Sequence, residues 1–209
     1  MELGLILPFI GASIILSLMP GPDNIFVLTE SLTKGQRNGI AISAGLSLGV
    51  LLHTIAAATG LSIIIQESAF AFSMLKYFGA VYLFYLAYNA LIEKKPIINL
   101  NVASIEKDSQ ALLLIKKGFL MNILNPKVSL FFIAFLPQFT TVGGINITVQ
   151  MIILGLIFMV QSFLVFSLIS MLSSRLTKYI NNPKFWKITK WSKISVLLIL
   201  GLTLALSKK

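Results

Sequence analysis

Two side chains of opposite charge stand inside uncharged stretches, each directly after a proline. Asp23 follows Ser17-Leu18-Met19-Pro20-Gly21-Pro22 and precedes Asn24, and Lys127 closes Asn125-Pro126-Lys127. A carboxylate favours an amine, while an ammonium beside a helix N-terminus favours a carboxylate. Their joint complement is a small zwitterion such as an amino acid. The plainer alternative is a structural pair in which the two charges neutralise each other. The remaining groups able to do chemistry are His53, the single residue that titrates near neutrality, and the carboxamides of Gln138 and Gln161.

The surroundings of these groups bound what they can do. In 209 residues there are 17 Lys and Arg against 7 Asp and Glu, no cysteine and one histidine. Charged residues make up 11% and hydrophobic ones 56%, where a soluble domain carries roughly 25% charged. Disulfide frameworks, thiolate catalysis and Cys/His zinc sites are excluded, and neither a metal nor a cofactor is expected. A net charge of +10 raises nucleic acid as a partner. Its basic residues, however, are separated by long uncharged runs, so a lipid bilayer is the expected partner and nucleic acid is not.

About 20 apolar residues cross roughly 30 Å of hydrocarbon as a helix. On that measure the runs predict an all-α integral membrane protein with six transmembrane helices: Leu3 to Pro22, Gly39 to Ile65, Ala69 to Ile92, Gly118 to Phe139, Ile147 to Leu172, and Trp191 to Leu206. The fourth needs its upstream residues to reach span length, which leaves Lys127 near mid-membrane. The first is read as a span rather than a signal peptide, because nothing basic precedes it and no A-x-A-like site follows.

Lysine and arginine collect in cytoplasmic loops. Lys34 and Arg37 fall in the first loop; Lys94, Lys95, Lys107, Lys116 and Lys117 in the third; and Arg175, Lys178, Lys184, Lys187, Lys190 and Lys193 in the fifth. The opposite side receives Lys76, Lys208 and Lys209. Both termini are therefore expected outside the cytoplasm. The hydrophilic stretch 93–117 then becomes a cytoplasmic connector between residues 1–92 and 118–209, two three-helix halves of inverted orientation.

Each half opens with a helix broken by proline. Pro20 and Pro22 lack amide protons, so the carbonyls of Leu16 and Leu18 lose their helical donors. A new segment can start with Gly21 as N-cap and Pro22 first, and Asn125 and Pro126 repeat that grammar. Aligning Pro22 with Pro126 sets Asp23 opposite Lys127. Irregular backbone is tolerated at membrane depth only where protein or a water-filled cavity satisfies it, so both breaks should face inward. A charge at a helix centre costs about 2.5 to 3.5 kcal/mol on insertion scales, which favours the substrate site over the structural pair.

These residues resemble a family. Pro20-Gly21-Pro22, and Asn125-Pro126-Lys127 followed by Phe131-Phe132 and Leu136-Pro137-Gln138-Phe139, look like the two signatures of the LysE/RhtB amino-acid exporters. Gly35, Gly39, Gly45, Gly49 and the run Gly79-Ala80-Val81-Tyr82-Leu83 are similar to the rest of its pattern, although Ser195 stands where the family often has glycine. The resemblance implies a bacterial inner-membrane protein that exports amino acids or close derivatives, driven by the proton gradient. Substrate contacts are expected from Pro20, Gly21, Pro22, Asp23, Asn24, Asn125, Pro126, Lys127 and Gln138.

Ala41, Gly45, Gly49 and His53 recur every fourth residue, a small-residue face that directs His53 into the bundle. His53, with Asp23, is a candidate carrier of the coupling proton; a neutral, hydrogen-bonded interhelical histidine is the favoured alternative. Gln161 is divided between site and structural roles, and Glu30 between a cytoplasmic entrance and a solvated helix end. The basic fifth loop, with Tyr179, Phe185, Trp186 and Trp191, reads as topology-setting charge and aromatic anchors rather than a dedicated lipid-binding segment. Small-residue faces also leave room for a homodimer. Competing with transport are an intramembrane enzyme using a Ser/His53 dyad, unsupported by any G-x-S-x-G or H-E-x-x-H, and a non-transporting scaffold or lipid-handling protein, which would need no buried lysine.

Overall fold

The computed structural model describes residues 3–63, 68–93, 111–141, 144–175 and 182–206. Lys94, Lys95, Lys107, Lys178, Tyr179, Lys208 and Lys209 lie outside the described residues, and so do residues 94–110 of the connector. Among the described residues the chain is all-helical. Helix α1 (Leu3–Leu18) is followed by α2 (Pro22–Lys34), α3 (Gln36–Ala56) and α4 (Ala69–Ile92). The second half runs through α5 (Ala111–Ile123), α6 (Pro126–Leu130), α7 (Ile147–Met171) and α8 (Pro183–Leu206).

Four helices are long and apolar enough to cross a membrane: Gln36–Leu61, Phe70–Ile92, Ile147–Met171 and Pro183–Leu206. Two further pairs qualify only jointly, Gly4–Leu18 with Pro22–Lys34, bent by 60°, and Ala111–Ile123 with Pro126–Phe139, bent by 51°. Six spans result if each bent pair counts as one. The 16 residues of α1 reach only about 24 Å, short of the hydrocarbon thickness, so the first span cannot end at Pro22 and needs α2. The second broken helix begins at Ala111 rather than Gly118, because Leu112, Leu113 and Leu114 continue its apolar pattern upstream of Lys116 and Lys117.

Local chemistry sets the boundaries. Gly21 precedes Pro22 at the start of α2, and the extended Asn125 caps α6, its side-chain oxygen accepting from the Lys127 amide at 3.0 Å. Gly35, at φ +93°, turns α2 directly into α3, a left-handed conformation that favours glycine. After α6 the chain widens to a π-helical turn over Phe131–Phe135 and tightens to a 3-10 turn over Leu136–Phe139. Pro137 cannot donate to Ile133, which loosens the helix there.

Helix α3 is the central element, packed against α5 and α7, while α8 packs along α4. Gly45 lies against the backbone of Ile115 and Phe119, Gly49 against Asn122, and Gly118 reciprocally against Ile42 and Leu46. The small-residue face of α3 is thus spent inside the chain, on α5. Leu7, Phe70, Leu124 and Leu206 are each 70% exposed or more, a surface suited to acyl chains. Phe9, Phe131, Phe132, Phe135, Phe139 and Phe158 form one aromatic cluster in the core, with neighbouring rings 5.2 to 6.1 Å apart.

The last helix corrects a sequence expectation. It begins at Pro183 instead of Trp191, so Lys184, Lys187, Lys190 and Lys193 belong to its first turns and not to a loop. Lys76 likewise sits within α4, buried, with its ammonium 4.9 Å from the Tyr77 ring centre.

Candidate functional site

The two proline breaks meet. Pro20 has no N–H for the Leu16 carbonyl, and the Lys127 ammonium takes its place at 3.2 Å, reaching the Met19 carbonyl at 3.3 Å as well. The Ser17 carbonyl accepts from the Asn24 side chain at 2.9 Å. In return, the side-chain amide of Asn125 donates to one carboxylate oxygen of Asp23. Both Asp23 and Asn125 are buried. Asp23 and Lys127 are not joined by a direct ion pair. Each is held by polar groups of the opposite break, a geometry that differs from a simple neutralising couple.

Both charges nevertheless line one small cavity of about 10 Å³, roughly the space of one water. Its other walls are Leu16, Ser17, Asn122, Val128, Phe158 and Phe166. Lys127 also lines a larger cavity of about 340 Å³, formed by Met19, Pro20, Gly21, Pro22, Asn125 and Pro126 from the breaks and by Asn89, Glu93, Lys193 and Leu197 from α4 and α8. At its edge Lys193 pairs with the Glu93 carboxylate at 2.7 Å, and the Lys190 ammonium donates to the Glu93 carbonyl at 2.9 Å.

Of the expected contacts, Pro20, Gly21, Pro22, Asp23, Asn125, Pro126 and Lys127 therefore surround two cavities that share the Lys127 side chain. Asn24 stands beside them through its bond to Ser17. Gln138 does not join them: it lies in the 3-10 turn Leu136–Phe139, away from both linings. Gln161 on α7 donates to the Ser17 hydroxyl at 2.9 Å, which brings it to the first break.

His53 is half-buried on α3, its Nε2 3.2 Å from the Asn122 carbonyl and its ring 5.7 Å from that of Phe132. No serine hydroxyl is hydrogen-bonded to it, so the pairing that a Ser/His53 dyad requires is not formed among the described residues. Glu30, near the end of α2, is buried and pairs with Lys34 at 3.4 Å, so it is not a solvated helix end.

Sequence reasoning missed Asn122, Glu93 and Lys193. Asn122 carried a usable signal, because it stands four residues before Pro126 and its carbonyl loses that donor. Glu93 and Lys193 carried none: their meeting depends on how α4 packs on α8.

Comparison with known proteins bears on this arrangement. The chain is 31% identical over 204 residues to an uncharacterized membrane protein of Bacillus subtilis, YrhP, covering 94% of this chain and 95% of that one. It is 27% identical over 210 residues to an uncharacterized membrane protein of Vibrio cholerae, covering 100% of both. It is 30% identical over 193 residues to the homoserine/homoserine lactone efflux protein of Salmonella typhimurium, covering 92% of both. No solved structure matches the chain. The profile of the LysE type translocators matches residues 14–208, both breaks and every helix after α1 included, and the chain is a multi-pass membrane protein that belongs to this family.

Proposed function

We propose that the protein exports amino acids or close derivatives across the bacterial inner membrane by alternating access around Asp23 and Lys127, coupled to protons. The observation that carries this reading is the convergence of the two proline breaks. Lys127 reaches the carbonyls of the first break, Asn125 reaches Asp23, and two cavities share the Lys127 side chain. Membership of a translocator family and the efflux activity named for the Salmonella relative support it.

In this reading, residues 1–92 and 118–209 are inverted repeats that rock about the site, and the connector 93–117 is cytoplasmic. Both termini are non-cytoplasmic. The larger cavity reaches Glu93 and Lys193, at the end of the bundle rich in basic residues, so this conformation receives substrate from the cytoplasm. Phe158 and the aromatic cluster behind it close the opposite side. The substrate ammonium meets Asp23 and its carboxylate meets Lys127. In this reading His53 and Asp23 carry the coupling proton.

Efflux from cells loaded with single amino acids or dipeptides, with and without an uncoupler, tests the function. Uncoupler-sensitive export is expected, and export indifferent to the uncoupler removes the proton coupling. Single cysteines replacing Ser109 and Gly144 should be labelled from opposite sides of intact cells.

A further inference from the structure

The small cavity at the breaks has an excess of acceptors. Among the described residues, Asp23 Oδ1, Asn122 Oδ1 and Gln161 Oε1 are buried and accept no hydrogen bond. Buried polar atoms are nearly always paired, so unpaired acceptors here call for a donor: Asp23 and Asn122 line the small cavity, and Gln161 stands beside it, bonded to the Ser17 of its wall. The orientation of Gln161 is fixed by its neighbours. The single Ser17 hydroxyl proton goes to the Ser13 carbonyl at 2.9 Å, so Ser17 can only accept from Gln161, which turns the Gln161 oxygen away as an acceptor. The other Asp23 oxygen is occupied by Asn125. Lys127 supplies the only ammonium in the lining, and two of its three N–H donors already serve the Leu16 and Met19 carbonyls, which leaves one donor for several acceptors.

We infer that Asp23, Asn122 and Gln161 form a subsite for a primary ammonium group, so that the amine of the substrate, and not its carboxylate, is the obligatory recognition element. The inference rests on the exporter reading and deepens it. A primary ammonium carries three N–H donors, enough for the Asp23 and Asn122 oxygens of the lining and for that of Gln161 beside it. At about 10 Å³ the cavity admits one water-sized group, a description that fits an ammonium and excludes an acylated nitrogen. The rest of the molecule lies toward Lys127 and the 340 Å³ cavity. A carboxylate gains the Lys127 charge there, whereas an ester or lactone loses that contact and keeps the amine.

The test uses purified full-length protein, with thermal stabilisation in detergent and counterflow in proteoliposomes as readouts. The probes are homoserine and the proteinogenic amino acids, each offered free, as the methyl ester and N-acetylated, together with homoserine lactone. Free and carboxyl-blocked forms of at least one compound should be recognised, and its N-acetyl form should not be. Asn122→Leu and Gln161→Met, which keep side-chain size, should raise KM for both amine forms roughly tenfold or more, the loss expected for one hydrogen bond to a charged group. Their maximal rate should change less. Recognition of the N-acetyl form as well as the free one overturns the subsite and leaves the exporter standing. Wild-type KM in correctly folded variants overturns it too. If neither variant folds, the three-form comparison on the unaltered protein decides alone. If no probe in any form is bound or exported, the exporter reading and the subsite fall together.

Discussion

The ammonium of Lys127 donates at 3.2 Å to the carbonyl of Leu16, the acceptor that Pro20 strips of its helical donor. A charge in the second half of the chain thus repairs the backbone of the first. The reverse break has a counterpart: Pro126 removes the helical donor of the Asn122 carbonyl, and His53 on α3 reaches that oxygen at 3.2 Å, beside the Asn125 amide at 2.9 Å. In lipid every freed carbonyl needs such a partner. Lys127, one of the groups that supply it, also lines both cavities, so under the proposed function its structural and substrate-binding roles would coincide.

Replacing Lys127 separates the two roles. Interhelical hydrogen bonds in membranes contribute about 0.6 to 2 kcal/mol, and Lys127→Met also removes the cost of a buried charge, so the protein should still fold with a melting temperature near that of the parent. Efflux should fall at least tenfold. Lys127→Arg keeps the charge but has to fit a planar fork beside Gly21, where even a Cβ would lie 3.6 Å from the Lys127 nitrogen. It should fold as the parent does and retain efflux only in part. Unimpaired export by Lys127→Met would remove the site.

Asn125 has two tasks that different substitutions pull apart. Its oxygen caps α6 and its amide donates to Asp23. Asp serves as well as Asn in the cap, whereas Ala forfeits about 1 kcal/mol. Asn125→Asp should therefore keep α6 capped while setting a second carboxylate against Asp23. More folded protein than from Asn125→Ala, with transport lost in both, is the expected pattern in paired expression and counterflow measurements. Wild-type transport by Asn125→Asp would show that donation to Asp23 is dispensable.

How much of this was legible in the chain depended on the range of the interaction. The prolines, the caps at Gly21 and Asn125 and the apolar runs act within a few residues, and they gave both breaks and the ends of α4 and α7 closely. The start of α8 escapes such reading because Lys184 to Lys193 look like loop charge, although a helix can begin in the headgroup region and carry lysines there by snorkelling. The site was legible as two charges at matching breaks. Their lack of direct contact was not, since it follows from the competing carbonyls of Leu16 and Met19, and Gln138 was included only because it belongs to a motif.

The close approach of α3 to α5 predicts where a single methyl group is intolerable. A Cβ on Gly45 or Gly118 would collide with the backbone of the facing helix, where no rotamer can yield. Gly45→Ala should therefore cost about 1 to 3 kcal/mol, read as a lower melting temperature and less monodisperse protein. Gly11, inside α1, is the control, because a Cβ there would meet nothing within 4 Å. Gly11→Ala should be neutral or stabilising by up to about 1 kcal/mol. Equal effects at both positions would mean that α3 and α5 do not pack on these glycines.

Glu93 and Lys193 tie the end of α4 to α8 at the edge of the larger cavity, 2.7 Å apart. Both side chains are partly exposed, at 40% and 21%, and an exposed pair is worth only about 0.2 to 1 kcal/mol. The pair therefore adds little to stability. What it does fix is the relative position of two helices that border the cavity, and it adds one charge of each sign where a zwitterion would enter. Glu93→Lys should leave the melting temperature nearly unchanged and lower efflux several-fold, because it sets two ammonium groups against each other and splays the cavity edge. Lys190 keeps its bond to the Glu93 carbonyl in that variant, since the acceptor is backbone. Combining Glu93→Lys with Lys193→Glu restores the attraction in reverse and should recover most of the lost efflux. A double variant no better than the single one would mean that the sign of each charge, read by the substrate, matters more than the tie between the helices.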